Sequence, residues 1–340
     1  MTRQPDPSEL TQAAFLLRLS ARPVILAGGG VAAAGAEDEL ARIAEKLDAP
    51  VMTTWNGKGT ISDRNQFSAG CLFGLPAAVP GLEAADTVFA LGTSFDAGPD
   101  LKLPAQMVQV DVNPDQLGRR YPLRLGVAGD ARAALAGILE ALEAPNPLRG
   151  VLDRASVAPP DRTAPGRASQ LRKAALRRGR SLGADRIAAL EAIRSALPDN
   201  ATVLHRDGGS APWFFPFFEV AEPGTWLPPG ANTDFPVAEA AAAAGAAAGP
   251  VVMFCEEAEL IPHLGELEGL EEPGDLTFVV FTDRGDEEAE SALSEAAGET
   301  GLRIVLTAGA DELAAALRRA AGTPNHTIIE SDLQWSPHPA

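Results

Sequence analysis

The stretch RPVILAGGGVAAAGAEDELARIAEKLDAPVMTTW, residues 22–55, holds two apolar runs on either side of a segment with helical spacing. The runs PVILA and PVMTT have the length and the β-branched content of buried strands, and three consecutive glycines follow the first. Between them, GAEDELARIAEKL repeats its apolar residues every three or four positions, as a helix with one buried face does. A strand, a glycine turn, a helix and a second strand indicate a parallel sheet.

The same alternation extends through most of the 340 residues. Strand and helix patterns run to about residue 144, break, and resume from Ala184. We therefore predict an α/β protein with two parallel-sheet domains. The predicted divisions are a lead-in helix in residues 1–20, a central domain in 21–145, a linker in 146–182, a second domain in 183–331 and a loose tail in 332–340.

The predicted linker differs in charge from the rest of the chain. It has nine Lys or Arg and two acids, a local charge of about +7, whereas the whole chain has a formal charge of -18. We expect this segment to lie on an acidic surface of its own chain or of a partner, or to be a solvated strap.

Composition excludes several classes of function. With 46 acidic and 28 basic residues the chain repels phosphate backbones and anionic membranes, so we expect no nucleic-acid or membrane partner. Cys71 and Cys255 form no CxxC pair, which argues against a disulfide framework or a zinc site. The amino-terminal residues do not resemble a signal peptide and no apolar run approaches ~18 residues, so a reducing cytoplasm is expected.

The glycines Gly28, Gly29 and Gly30 lie between a strand and a helix. In that context backbone amides can approach an anion at the start of the helix. A NAD-type fold would also need an acid at the end of the second strand, which here reads PVMTTW. Phosphate binding and a tight packing turn both remain open.

Five segments of the first domain, in order and at matching spacing, resemble the central domain of thiamine diphosphate enzymes of the acetolactate synthase type. They are RPVILAGGGV, LDAPVMTTWNGKGTISD, GCLFG, AADTVFALGTSFD and QVDVNPDQLGRRYPLRLGVAGDARAAL, within residues 21–143. The resemblance implies a six-stranded doubly wound sheet and, in some members, bound FAD. FAD-binding members have Arg-Phe-Asp where this chain has Ser94-Phe95-Asp96, which argues against FAD.

The second domain resembles the diphosphate-binding domain of the same family. Asp207-Gly208-Gly209 matches its Asp-x-Gly, and DFPVAEAAAAAGA matches the helix that follows. The resemblance implies that Gly209 and Ser210 approach the cofactor diphosphate and that Ala231 stands where the family has a bulky residue supporting the cofactor.

The acids of VVMFCEEAEL, residues 251–260, lie over the Gly-Asp-Gly-Ser of that family. The resemblance implies that Glu257 and Asp283 hold Mg2+, a cation that prefers oxygen ligands, with Ala258 and Glu259 beside the diphosphate. Glu256 and Glu259 add negative charge where the family has glycine and a hydroxyl, and like charges in a cleft repel. This crowding predicts impaired cofactor binding.

Two functions follow as expectations. In the first, the chain is a subunit of a thiamine diphosphate-dependent 2-oxo acid decarboxylase or carboligase. The family's pyrimidine-binding domain, which we expect to be absent here, is then supplied by a separate chain in a hetero-oligomer. In the second, the chain is a non-catalytic paralogue that acts as a structural or regulatory partner, in a hetero-oligomer or a homodimer.

Two further features have alternative interpretations. His205, near Asp207, could be a general base, but a lone histidine at a strand end is more often structural. The aromatic run PWFFPFF, residues 212–218, has two prolines, which argues against a regular helix. It could pack in the core or form a subunit contact, and we favour the contact.

Overall fold

The computed structural model describes residues 3–72, 82–96, 101–103, 106–145, 163–206, 208–227, 236–269, 275–282, 292–300, 304–321 and 327–335. The chain divides into two compact units, Met1–Arg178 and Gly179–Ala340. Each unit contains one sheet of six strands, and every strand pair in both sheets is parallel. The predicted pair of doubly wound parallel sheets is therefore confirmed.

The first unit contains a six-stranded sheet with helices between its strands. In chain order its elements are α1 (Pro7–Leu19), β1 (Pro23–Ala27), α2 (Gly29–Ala33), α3 (Glu37–Leu47), β2 (Val51–Thr53), β3 (Ser68–Cys71), β4 (Thr87–Leu91), β5 (Met107–Asp111), a 3-10 turn (Pro114–Gln116), β6 (Leu125–Ala128) and α4 (Ala131–Glu143). The strand order is β3-β2-β1-β4-β5-β6. The order reverses between β1 and β4, where open α/β sheets have a crevice.

Local sequence explains where these helices start and which face they bury. Asp6 caps α1 by accepting a hydrogen bond of 2.8 Å from the Ser8 amide, and Pro7 occupies the first turn, where no backbone donor is lost. The buried face of α3 consists of apolar residues three or four apart: Leu40, Ile43, Ala44 and Leu47. These side chains join one apolar core with strands β1, β2, β4 and β5.

Arg18 links α1 to the carboxyl end of α4. Its Nη2 donates to the carbonyl oxygens of Ala141, Leu142 and Ala144 at 2.8, 2.7 and 2.9 Å. These carbonyls have no partner within the helix, and a cation there also complements the helix dipole.

Replacing Arg18 by methionine should therefore lower the free energy of unfolding of the first unit by about 1.5–3 kcal/mol, measured by urea denaturation. Arg42→Met is the matched control, because its 3.6 Å ion pair with Glu143 at the same end of α4 is exposed. That change should alter stability by less than about 1 kcal/mol. Equal losses in the two variants would contradict the capping role of Arg18.

Helix α5 (Ala164–Ala196) occupies part of the predicted linker. Residues 146–162 lie outside the described part of the chain, but those from Ala164 onward are helical, with non-helical backbone at Gly183. Arg172 donates to the carbonyls of Asp63 and Asn65. The part of the helix from Arg186 onward was predicted, but the part before residue 183 was not, because prolines and basic charge indicated a linker, although alanine, leucine and arginine favour helix strongly.

The second unit continues with β7 (Thr202–His205), α6 (Ala211–Phe217), β8 (Trp226–Leu227), α7 (Pro236–Ala246), β9 (Val251–Glu256), α8 (Glu257–Leu260), a 3-10 turn (Ile261–His263), α9 (Leu264–Glu268), β10 (Leu276–Phe281), α10 (Ala292–Thr300), β11 (Ile304–Thr307), α11 (Gly309–Ala320) and β12 (Thr327–Ser331). Its strand order is β11-β12-β10-β9-β7-β8. Strands β7, β9 and β10 are neighbours, so their carboxyl ends lie together at one edge.

The aromatic run forms α6 and belongs to the core. Trp213, Phe214 and Phe215 are fully buried, and Phe217 is nearly so. A helix forms despite two prolines because Pro212 is in its first turn, and burial of four aromatic side chains outweighs the bond lost at Pro216. The expectation of a surface contact was therefore wrong.

Part of the predicted loose tail is packed against this cluster. Trp335 is buried, its ring centroid is 5.1 Å from that of Phe214, and its carbonyl accepts a 2.7 Å hydrogen bond from Trp213 Nε1. Residues 336–340 lie outside the described part of the chain.

Candidate functional site

The candidate site is the edge of the second sheet where β7, β9 and β10 end. Glu256, the last residue of β9, is in register with Phe281, the last residue of β10. Glu257 begins α8 directly afterwards. Of the residues predicted for this site, Ala231 and Asp283 lie outside the described residues, as does Asp207. The predicted pairing of Glu257 with Asp283 therefore stays a prediction.

Each carboxylate that the structure places in this loop has a partner within the chain. The Oε1 atom of Glu257 accepts a 2.6 Å hydrogen bond from the amide of Leu293 in the first turn of α10. The Oε2 atom of Glu259 accepts one of 2.9 Å from the amide of Glu256. The acids that follow the core strand thus bind backbone donors, as helix-capping carboxylates do.

Arg206 supplies a positive charge that sequence reasoning missed. It follows β7, and its Nε donates to Glu259 Oε1 at 2.9 Å. A second carboxylate oxygen, Glu239 Oε2 on α7, is 3.7 Å from Nη1 of the same guanidinium. The only signal in the sequence was an arginine directly before the Asp-Gly-Gly turn, and both partners come from distant segments.

The turn after β7 is closely packed against the acidic loop. A Cβ atom added to Gly208 would lie 2.8 Å from Cγ of Glu256, so that side chain lies directly beside the glycine. Gly209 is exposed beside it, as is Ala258 on the facing loop.

Ser210 points its hydroxyl inward. Its Oγ lies 3.1 Å from Nε2 of His205, and both side chains are buried. The imidazole is surrounded by aromatic rings, with centroids 4.4 Å away for Phe214 and 6.3 Å away for the stacked Trp226. Burial lowers the pKa of His205 to about 3, so the ring is neutral near pH 7 and is a weak base. These contacts support a structural role for His205.

The glycine loop of the first unit is in contact with the turn after β4. The amide of Gly30 donates to the Gly92 carbonyl at 3.0 Å, and that of Gly28 donates to the Leu91 carbonyl at 2.8 Å. A Cβ atom on Gly28 would lie 2.3 Å from the Gly92 oxygen. Gly29 would meet Asn56 instead, at 3.0 Å. The glycines thus allow two backbones to meet where nucleotide-binding folds have their crevice, and this favours the packing turn.

The segment that argued against FAD is also paired internally. Asp96 forms an ion pair with Arg119, and the ring of Phe95 contacts Tyr121 edge-on at 5.1 Å between centroids. The expectation that FAD is not bound stays a prediction.

Comparison with known proteins identifies the first unit. Residues 10–138 match the family model described as thiamine pyrophosphate enzyme, central domain. The first unit therefore contains a thiamine pyrophosphate enzyme central domain. The match agrees with the resemblance found in residues 21–143.

Relatives support the assignment. A sulfoacetaldehyde acetyltransferase of Rhodobacter capsulatus is 38% identical over 152 residues, which cover 41% of this chain and 25% of the relative. An acetolactate synthase large subunit of Corynebacterium glutamicum is 32% identical over 147 residues, covering 41% of this chain and 24% of that one. The chain thus spans about a quarter of the length of these curated thiamine pyrophosphate enzyme relatives.

A solved structure extends the likeness in fold to both units. The benzoylformate decarboxylase of Polynucleobacter necessarius superposes with a TM-score of 0.71 at 16% identity, covering 97% of this chain and 65% of that one. The description of the matched family names thiamine pyrophosphate as its cofactor.

The described residues of the second unit do not fit a magnesium-bridged diphosphate. Among them, no group of three or more His, Cys, Asp or Glu could hold a metal ion. The carboxylates of Glu257 and Glu259 already accept hydrogen bonds, and Arg206 lies beside Glu259.

Among all the residues that the structure describes, no helix has the length and apolar composition needed to cross a bilayer.

Proposed function

We propose that the chain is a thiamine pyrophosphate family subunit that holds no catalytic cofactor in its second unit and serves a family enzyme as a structural or regulatory partner. One observation carries the proposal: at the edge where the family binds metal and diphosphate, Glu259 is paired with Arg206 at 2.9 Å. A diphosphate would have to displace this pair and then approach Glu256 and Glu257. Like charges at such a site oppose that approach.

Binding of thiamine diphosphate and Mg2+ tests this proposal directly. We expect calorimetric titration to give no magnesium-dependent heat with the chain alone, and no heat beyond the enzyme's own when the chain is mixed with an acetolactate synthase-like enzyme. Replacing Glu257 by alanine should leave that result unchanged. Tight binding that Glu257→Ala abolishes would overturn the proposal.

Partnership needs its own measurement. Native mass spectrometry of the chain mixed with an acetolactate synthase-like enzyme should give a stoichiometric complex, and the complex should change that enzyme's rate at saturating cofactor. If no complex forms and the enzyme's rate does not change, the partner role is overturned.

The competing function is a subunit of a 2-oxo acid decarboxylase or carboligase whose pyrimidine-binding domain is on a separate chain. The register of β9 with β10 favours it, because Glu257 and Asp283 follow strand ends that lie side by side. Magnesium-dependent binding by the chain mixed with a separate pyrimidine-binding chain, and by neither of the two alone, would support this function.

A further inference from the structure

We infer that Arg206 acts as an internal counter-ion. Its positive charge links the ends of three elements, so that this part of the chain needs no external cation. This inference concerns ion pairs within the second unit and stands independently of the proposed partner role. Its basis is the position of Arg206 between α7, α8 and the end of β7.

Hydrogen bonds to the backbone help to position both partners of the ion pair. The Arg206 amide donates to the carbonyl of Phe254 at 3.1 Å, so the residue continues the pairing of β7 with β9. Glu259 is held from the other side by its bond to the amide of Glu256. Such an arrangement loses little side-chain entropy on pairing, unlike a pair between two flexible surface chains.

The pair is also shielded from water. The side chains of Arg206, Glu259 and Glu239 are 12%, 22% and 23% exposed, respectively. Removal of one charge from a pair at this depth leaves the other without compensation, which is more damaging than the loss of an exposed pair. The two carboxylates would then lose the cation that they share.

The first test is thermal unfolding of Arg206→Met. We expect the melting temperature of the second unit to fall by about 5–10 °C. Breaking a shielded ion pair lowers the free energy of unfolding, and in a domain of this size that loss lowers the melting temperature by several degrees. Arg180→Met is the matched control, because its 2.7 Å pair with Glu191 lies in the same unit but is more than half exposed. The control should shift by less than about 3 °C. Equal shifts would overturn the inference.

A second readout separates a counter-ion from a packing residue. Mn2+ or Mg2+ alone should raise the melting temperature of Arg206→Met, because the carboxylates regain a cation, and should leave the wild type and the double variant Arg206→Met/Glu259→Gln unchanged. Arg206→Lys should keep most of the stability and show no response to metal. A response in the wild type, or none in Arg206→Met, would overturn the inference.

If Arg206→Met does not fold, Arg206→Lys and Glu259→Gln decide the question in its place. Glu259→Gln keeps the shape and removes the charge, so it should lower the melting temperature more than Arg206→Lys does. The reverse order would show that charge is not what Arg206 contributes. The melting temperatures of these variants are measured without thiamine diphosphate, so their outcome is independent of the cofactor titration that tests the proposed function.

Discussion

Alanine at position 92 should unfold the first unit under conditions in which the wild-type protein is stable. Gly92 has a φ of +55°, a backbone conformation that other residues adopt at a penalty of about 1–2 kcal/mol. The added Cβ would also lie 2.5 Å from Cα of Gly30 and 2.9 Å from its nitrogen and carbonyl carbon. Those atoms are backbone and cannot rotate away, so we expect a total loss above about 4 kcal/mol.

Urea denaturation followed by circular dichroism measures the loss, and hydrogen exchange in β1 and β4 locates it. Gly166→Ala in α5 is the control, because the added Cβ meets nothing within 4 Å. Alanine there should stabilise the helix by up to about 1 kcal/mol. Gly28→Ala should behave like Gly92→Ala, and a folded Gly28→Ala protein would mean that this contact is not essential.

The second unit should lose stability steeply as pH falls below 6.5, through His205. Its pKa is about 3 in the folded chain and near 6.5 when unfolded. The unfolded chain therefore binds a proton that the folded chain does not, so stability is complete above the unfolded value and falls as pH drops toward the folded one. Between pH 6.5 and 4.5 the expected loss is about 2 kcal/mol.

Two replacements that do not titrate isolate this effect from that of the carboxylates. His205→Phe matches the aromatic surroundings, and His205→Gln keeps a polar partner for Ser210. Urea unfolding at several pH values, followed by tryptophan fluorescence, should show about 2 kcal/mol less acid-induced loss in both variants than in wild type. If both lose as much as wild type, protonation of His205 is not responsible.

The fold could be predicted because its signals are local. Residues 22–55 hold a strand, a turn, an amphipathic helix and a second strand, each determined by neighbours a few positions away. The predicted helices over 35–47 and 131–142 correspond to α3 (Glu37–Leu47) and α4 (Ala131–Glu143) for the same reason. Their boundaries differ from the prediction by one or two residues, as helix ends commonly do.

The site could be predicted only in part, because its chemistry depends on pairs distant in sequence. The sequence shows the acids after β9, but it does not show that Leu293 binds one of them and Arg206 another. Similarly, the prolines of α6 argue against a helix locally, and only packing against Phe254 and Trp335 reverses that preference.

The mutual dependence of Arg206 and its acids has an evolutionary consequence. Loss of the arginine alone would leave anions crowded together, and loss of the acids alone would strand a shielded cation. A protein with only one of these changes would be less stable, so the effects of the two changes are epistatic. Once such a pair has formed, neither the arginine nor its acids are readily lost by one mutation at a time.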